Sequence, residues 1–194
     1  RWDNRKFTSG VNHLGSAMKS VGEVMAIGRK FEEAFQKGLR MVEDSIDGFG
    51  DMPSHYELKG TAALERALVQ PNDQRVYAIS QAFREGYSVD DIHKMTMIDK
   101  WFLFKLQNIN KAEKILKNHA LLDIPRSAFL HAKQLGFSDT QIGRCTNESE
   151  MDVRERRKEL GVLPFVKQID TLAAEFPAST NYLYCTYNGT EHDR

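Results

Sequence analysis

"IDKWFLFKLQNINKAEKILK", residues 98–117, carries the strongest helical pattern in the sequence and decides the fold class. Its apolar residues recur at spacings of three and four over about five turns, which is typical of one buried helix face. We expect that face to lie in the core, with Trp101 and Phe102 as core residues rather than a ligand-binding stack. The apolar positions are Ile98, Trp101, Phe102, Leu106, Ile109 and Leu116.

A second amphipathic helix is predicted from Phe31 to Val42. On the polar face, Glu33 and Lys37 are four positions apart in the favourable order for an ion pair. The apolar residues are expected to be buried. They are Phe31, Ala34, Phe35, Leu39 and Val42.

In the rest of the chain, capping and turn residues predict where several shorter helices begin and end. Residues 43–60 are predicted to form a loop, and no repeat of fixed period is present. The predicted helices run from Leu64 to Val69, from Asn72 to Gly86, from Ser88 past Met95, from Asp123 and Pro125 to Gly136, from Ser138, and from Ser149 to Gly161.

Two segments near the end of the sequence change to a strand pattern. They are "PFVKQID" (164–170) and "NYLYCTY" (181–187), which are rich in aromatic and β-branched residues. Because an isolated strand pair is marginally stable in water, we expect them to pair with a sheet formed by sequence after residue 194. The predicted fold is mainly α, a helical domain with a short C-terminal β segment that joins a neighbouring domain.

Composition excludes several classes of protein. The 194 residues contain 27 Lys and Arg and 27 Asp and Glu, so the basic excess of a phosphate-backbone binder is absent. Cys145 and Cys185 lie 40 positions apart without metal-ligand spacing, and we expect reduced thiols in the cytoplasm. No apolar run could span a membrane. Because the sequence starts at Arg1 without Met, we expect a piece of a longer protein.

One nucleic-acid-binding alternative remains open. "GFSDTQIGRCTNESEMDVRERRKELGV" (136–162) has two capped short helices around a turn, as in a helix-turn-helix. Its second helix would present basic side chains to DNA. However, the same helix carries three carboxylates, which phosphates would repel. The basic residues are Arg154, Arg156, Arg157 and Lys158.

No catalytic residue, metal ligand or cofactor site is predicted within the chain. Adjacent carboxylates such as Asp90 and Asp91 point in different directions on a helix, so they do not form a catalytic pair. No G-x-S-x-G or G-x-G-x-x-G motif occurs. The histidines are scattered without paired ligand spacing. They are His13, His55, His93, His119, His131 and His192.

Word-length segments nevertheless resemble one family. "MKSVGEVMAIGR" (18–29) followed by "FEEAFQKGLRM" (31–41) is similar to the end of the first ATP-grasp unit in the large chain of carbamoyl phosphate synthetases. The resemblance continues in the same order to residue 187. The further segments are "IDKWFL" (98–103), "AKQLGFSDTQI" (132–142), "VKQIDTLAAEFP" (166–177) and "TNYLYCTY" (180–187).

The resemblance implies a position between two catalytic units. Residues 1–43 would close the first ATP-grasp unit, 44–162 would form the helical oligomerisation domain, and 163–194 would lead into the second unit. In this family the first unit phosphorylates bicarbonate and carbamate passes through an internal tunnel to the second. The enzyme would use ATP and Mg²⁺, and a glutaminase domain or subunit would supply ammonia. The chain alone would be inactive.

The resemblance also assigns residues to the tunnel wall: Met18, Val21 and Glu23. Small or soft side chains suit a conduit that must not bind its cargo tightly. Glu23 would repel an anion and could belong to a charged gate. The alternative is that Glu23 caps the helix through Phe31, because a carboxylate in the first turn is stabilising there.

Self-association is a further expectation, because the family names this domain for oligomerisation. The segment 56–70 is more apolar than a free surface needs, and Leu58, Leu64 and Leu68 are the predicted interface. These residues could equally cover the domain's own core. Several segments look like the fungal multifunctional pyrimidine-pathway form, while an arginine-pathway or urea-cycle enzyme remains open.

Overall fold

The computed structural model describes residues 15–16, 22–53, 56, 58–173, 175–177 and 182–193. Within these ranges the fold is mainly α, with eight α-helices, one 3₁₀ turn and two strands. The elements are α1 (Phe31–Val42), α2 (Thr61–Val69), α3 (Arg75–Glu85), α4 (Val89–Thr96), α5 (Lys100–Lys117), a 3₁₀ turn (Leu121–Asp123), α6 (Arg126–Gln134), α7 (Asp139–Thr146), α8 (Glu150–Glu159), β1 (Phe165–Gln168) and β2 (Leu183–Thr186).

Helix α5 is the centre of the helical domain. It packs against α1, α3, α4, α6 and α7, and the core forms around it. The predictions that Leu106, Ile109 and Leu116 face the core are confirmed. Neighbouring helices contribute further fully buried residues, including Ile92, Leu103 and Phe129. This contiguous apolar core is the main source of stability for a domain of this size.

The core prediction for Trp101 and Phe102 is wrong. Their exposed fractions are 51% and 43%, although both lie at helical spacing with the buried Leu106. At this end of α5 the two rings contact each other and Phe31 edge to face. Periodicity shows which face of a helix is apolar, but it does not show how far along that face a neighbouring element extends.

Local capping signals predicted the helix starts well. Ser88 with Asp91, and Ser149 with Asp152, form reciprocal capping boxes at α4 and α8. Ser138 accepts a hydrogen bond from the amide of Gln141, as expected at the start of α7. Helices α4 and α7 end at left-handed Met97 and Asn147, whereas three other helices end near left-handed glycines, which adopt that conformation without strain. These glycines are Gly86, Gly136 and Gly161.

The two strands pair with each other. They form an antiparallel hairpin in which Phe165 is opposite Thr186 and Gln168 is opposite Leu183. Pairing with a sheet formed by sequence after residue 194 stays a prediction. Within the described residues, contacts with the helical domain support this short hairpin, as described below. Among the described helices, none combines the length and apolar character that crossing a membrane requires.

Candidate functional site

The buried face of α1 is polar, which corrects the sequence prediction. Glu32, Glu33 and Gln36 are almost completely buried. Of the predicted apolar face only Leu39 reaches that level of burial, while Phe31, Ala34, Phe35 and Val42 stay partly exposed. Buried polar groups are costly unless they are hydrogen-bonded, so their partners show what this helix does.

Glu33 joins three separate parts of the chain. Its carboxylate accepts hydrogen bonds from the amide of Arg29 at 2.9 Å, from Lys37 Nζ at 2.9 Å and from Asn188 Nδ2 at 3.0 Å. Burial by itself raises the pKa of the Glu33 carboxyl. The hydrogen bonds, led by that from Lys37, outweigh burial and hold its pKa below the usual value. Glu33 is therefore a charged anchor.

Lys37 completes the connection between the segment before α1 and the hairpin. The predicted pair with Glu33 is confirmed, and the Glu33 side chain is buried while Lys37 stays partly exposed. Lys37 Nζ also donates to the carbonyl oxygens of Ile27 and Cys185, each at 2.8 Å. One ammonium group thus binds both the segment that leads into α1 and strand β2.

Gln36 and Arg40 fix α1 to the helical domain. Gln36 Nε2 donates to the Leu135 carbonyl at 2.8 Å, and its Oε1 accepts from the Phe49 amide at 3.2 Å. Arg40 Nη1 donates to the carbonyls of Asp47 and Gly136, both at 2.9 Å. All of these hydrogen bonds are made to backbone atoms. Because hydrogen bonds are directional, they fix the position of α1 against the helical domain.

Glycine permits the close packing of α1 on the loop after α6. Gly136 has a φ of +91°, and a Cβ at this position would lie 2.9 Å from Glu33 Cα. That distance is too short for any side chain, so the backbones can approach this closely only with glycine.

The hairpin is attached to the helical domain through Asn188 and Tyr187. Asn188 Nδ2 donates to the Gln134 carbonyl at 2.9 Å as well as to Glu33. The Tyr187 ring lies 5.0 Å from Lys133 Nζ and 5.8 Å from the Arg157 guanidinium carbon. Cations over an aromatic face are attracted by its quadrupole.

Asp139 balances the two cations beneath Tyr187. Its carboxylate lies 2.7 Å from Lys133 Nζ and 3.0 Å from Arg157 Nε. Burial lowers the pKa of Lys133 to about 8, and Asp139 opposes that decrease. Arg157 also donates to the Val162 carbonyl at 3.1 Å. This basic residue of α8 is therefore committed to internal contacts.

We call the set Glu33, Gln36, Lys37, Arg40 and Asn188 the α1 junction. It joins the segment before α1, the helical domain and the hairpin. An open depression of about 390 Å³ lies beside it, lined mainly by apolar groups of residues 25–27, α1 and β2. The junction holds no nucleophile or general base placed for chemistry. Each of its side chains makes internal hydrogen bonds, and together these bonds hold three parts of the chain against one another.

Apolar periodicity could not find the α1 junction. The available signal was a polar stripe at i, i+3, i+4 and i+7 along α1, formed by Glu33, Gln36, Lys37 and Arg40. Such a stripe is usually solvated, and only the partner carbonyls distinguish a buried one. Asn188 gave no sequence signal at all.

The predicted tunnel residues lie at the edge of the described structure. Met18 and Val21 are outside the described residues. Glu23 is exposed in the non-helical segment 22–28. The alternative that Glu23 caps the helix is wrong, because α1 begins at Phe31 and the acidic residues of its first turn are Glu32 and Glu33.

The predicted interface residues belong to the chain's own core. Leu64 and Leu68 are 0% exposed, and Leu58 packs partly buried against the same core. This outcome matches the alternative that the sequence left open. The exposed apolar residue on α2 is Val69, with 55% of its surface accessible.

The described residues contain no cluster of three or more His, Cys, Asp or Glu side chains that could hold a metal ion. Described histidines have local roles. His93 Nδ1 lies 2.7 Å from the Ile98 carbonyl oxygen, and His192 Nδ1 accepts from the Val166 amide at 3.1 Å.

The fold and the α1 junction define a mainly helical domain in which one helix binds both the segment before it and the C-terminal hairpin. Comparison with known proteins identifies which one: residues 23–161 match the model of the carbamoyl-phosphate synthetase large chain, oligomerisation domain. The chain belongs to this family. The match ends near the predicted boundary at 162, and it begins early enough to include α1.

Relatives of three kinds are about equally similar. The chain is 50% identical over 194 residues to the mitochondrial carbamoyl-phosphate synthase [ammonia] of Aquarana catesbeiana. It is 50% identical over 193 residues to the multifunctional protein ura1 of Schizosaccharomyces pombe, and 51% identical over 195 residues to the arginine-specific large chain of that yeast. All of this chain is covered, but only 13%, 8% and 16% of those proteins. No relative or family match supports the nucleic-acid alternative.

Proposed function

We propose that this chain is the central structural and channelling segment of a carbamoyl phosphate synthetase. In this proposal, residues 1–43 close the bicarbonate-phosphorylating unit, 44–162 form the oligomerisation domain and 163–194 lead into the carbamate-phosphorylating unit. The whole enzyme makes carbamoyl phosphate from bicarbonate, ATP and glutamine or ammonia, with Mg²⁺. The chain itself positions the two catalytic units and has no catalytic activity of its own.

The α1 junction is the observation that carries this proposal. Glu33 and Lys37 bind the segment before α1 and the hairpin after the helical domain at the same time. Two connections that are far apart in sequence are therefore fixed to one helix. Their relative position matters if an unstable intermediate must travel from one unit to the other without release.

The tunnel assignment is part of the proposal and rests on the sequence resemblance. Met18 and Val21 line the tunnel with soft, apolar side chains, and Glu23 lines it as part of a charged gate. The exposure of Glu23 in the described segment fits a group that meets water or another unit.

A blocking substitution tests channelling in the full-length enzyme. Val21→Phe and Met18→Phe should preserve bicarbonate-dependent ATP hydrolysis while carbamoyl phosphate output falls at least about tenfold, because an added ring fills the conduit. The matched control is Met151→Phe at an exposed position of α8, which should change neither rate. Equal loss of both rates in the tunnel variants, with Met151→Phe unaffected, would contradict the tunnel assignment.

We also propose self-association and a pathway. The description of the family names an oligomerisation domain, and Val69 and Leu58 are the accessible apolar residues near α2. The multifunctional pyrimidine-pathway form in the cytoplasm is our preferred assignment, supported by the fungal relatives. In the full protein, the ATP-grasp domains and a glutaminase domain or subunit are the proposed partners.

Sedimentation over a concentration series tests the α2 surface. A homo-oligomer weakened by Val69→Glu, with helicity unchanged, supports it. A wild-type chain that stays monomeric at every concentration would place self-association elsewhere in the enzyme.

A further inference from the structure

Asn188 and Gly189 form the one Asn-Gly pair in the sequence, and they lie just after strand β2 ends. Asparagine followed by glycine is the pair most prone to deamidation, because glycine has no side chain to hinder attack of its nitrogen on the asparagine side chain. This labile pair belongs to the α1 junction. Asn188 is therefore both a structural hydrogen-bond donor and a chemically reactive residue.

Packing on strand β1 explains why glycine follows Asn188. A Cβ at position 189 would lie 2.9 Å from Phe165 Cβ and 3.1 Å from Phe165 Cγ. Non-bonded carbon atoms prefer separations of about 3.5–4.0 Å, so a side chain at this position would push the turn away from β1. A larger residue would slow the attack, but it does not fit here without displacing the turn. The packing of the hairpin therefore retains the reactive pair.

The α1 junction uses the Asn188 amide group as a double donor. Its Nδ2 donates to Glu33 Oε2 at 3.0 Å and to the Gln134 carbonyl at 2.9 Å. The Asn188 carbonyl oxygen also accepts from Arg29 Nη1 at 3.2 Å. Loss of Nδ2 while the hairpin stays in place would leave a carboxylate and a carbonyl without their shared donor, which is costly away from water. The assembled junction therefore opposes deamidation.

We propose that Asn188 is a deamidation site that the α1 junction protects, and that its conversion to aspartate or isoaspartate detaches the hairpin irreversibly. In the first step the Gly189 nitrogen bonds to the Asn188 side-chain carbonyl carbon, and the bond from that carbon to Nδ2 breaks. The Gly189 nitrogen gives up its proton to solvent, and Nδ2 takes one proton from solvent and leaves as ammonia. Water then opens the cyclic imide at one of its two carbonyl carbons, which gives isoaspartate or aspartate.

Both products are incompatible with the junction. Aspartate at position 188 would face the Glu33 carboxylate, whose pKa is held below its usual value, so both groups carry a negative charge at neutral pH and repel each other. Lys37 stays paired with Glu33, and one ammonium group does not balance two carboxylates. In isoaspartate the former side-chain carbon becomes part of a longer main chain, and the donor is lost as well. The hairpin cannot return to its original contacts in either case.

Ageing of the full-length protein at mildly alkaline pH tests the protection. Peptide mass spectrometry follows the loss of Asn188 with time. In Glu33→Gln the rate should rise at least about tenfold, and by the same factor as hydrogen exchange of the β2 amides, because both processes require the detached hairpin. The matched control is Glu155→Gln, at an exposed position of α8, which should keep the wild-type rate. Equal rates of Asn188 loss in wild type and Glu33→Gln would overturn the proposal.

A variant that carries the product from the start tests the consequence. In full-length Asn188→Asp the β2 amides should exchange at least about tenfold faster than in wild type, while amides in the middle of α5 stay unchanged. The control is Asn147→Asp, at the exposed residue that ends α7, which should leave β2 exchange unchanged. Unaltered β2 exchange in Asn188→Asp, or an equal acceleration in α5, would overturn the proposal. Neither measurement scores carbamoyl phosphate output, so the proposed function stands or falls separately.

Discussion

The core around α5 is apolar, with Leu103, Ile109 and Phe129 fully buried, whereas the buried face of α1 consists of Glu32, Glu33 and Gln36. Apolar burial is strong but non-directional, so it stabilises a domain without fixing exact positions. Hydrogen bonds contribute less net stability, but they are directional and costly to leave unmade. The difference indicates that the core keeps the helical domain folded and the α1 junction determines where its connecting segments lie.

The largest expected effect comes from breaking the core. Leu64→Glu places a carboxylate at a position with no exposed surface and should cost more than about 4 kcal/mol, leaving the chain largely unfolded. Ala62→Glu lies on the same helix at an exposed position and should change the free energy of unfolding by less than about 0.5 kcal/mol. Urea unfolding followed by circular dichroism measures both. A folded Leu64→Glu chain with wild-type stability would contradict the assignment of α2 to the core.

The next effect separates close packing at the α1 junction from backbone strain. Gly136 and Gly86 have φ angles of +91° and +93°, but a Cβ would meet Glu33 at 2.9 Å only at position 136. Gly86→Ala should therefore cost about 1–2 kcal/mol from the left-handed backbone alone. Gly136→Ala should cost about 1–3 kcal/mol more, because α1 must move. Equal losses in thermal or urea unfolding would show that α1 is not tightly seated.

The smallest effect concerns the charge of Glu33. At pH 7, Glu33→Gln should cost about 1–2 kcal/mol of unfolding free energy, because the charged hydrogen bonds are weakened. Since the folded-state pKa lies below the usual value of 4.5, this contribution is present above that pH and is lost as the pH falls through the folded-state pKa. The difference between wild type and Glu33→Gln should shrink accordingly.

Glu155→Gln, at an exposed position in the middle of α8, is the control and should change the free energy of unfolding by less than about 0.5 kcal/mol across the same pH range. A loss in Glu33→Gln that did not depend on pH would mean that shape, rather than charge, stabilises the α1 junction.

Sequence patterns predicted the features that depend on neighbours close in the chain. The capping boxes at Ser88 and Ser149 and the end at Gly136 were predictable, since each depends on a few adjacent residues. The exposure of Trp101 was not predictable, because it depends on where α1 ends its contact with α5. The resemblance correctly predicted the family, but it did not indicate the role of Asn188.

Apolar periodicity failed to predict the buried polar face of α1 for a physical reason. Apolar periodicity assumes that a helix packs against apolar side chains, whereas Gln36 and Arg40 pack against backbone carbonyls. Carbonyl partners come from every residue type, so the sequence of the partner segment carries no matching pattern.

Native-state hydrogen exchange tests the central claim, that the α1 junction positions the hairpin. In Glu33→Gln, the amides of β2 and of Arg29 should exchange at least about tenfold faster than in wild type, because the bonds that hold these segments to α1 are weakened. Amides in the middle of α5, near Leu106, should be unchanged. Unaltered exchange in β2, or an equal acceleration in β2 and α5, would contradict the claim.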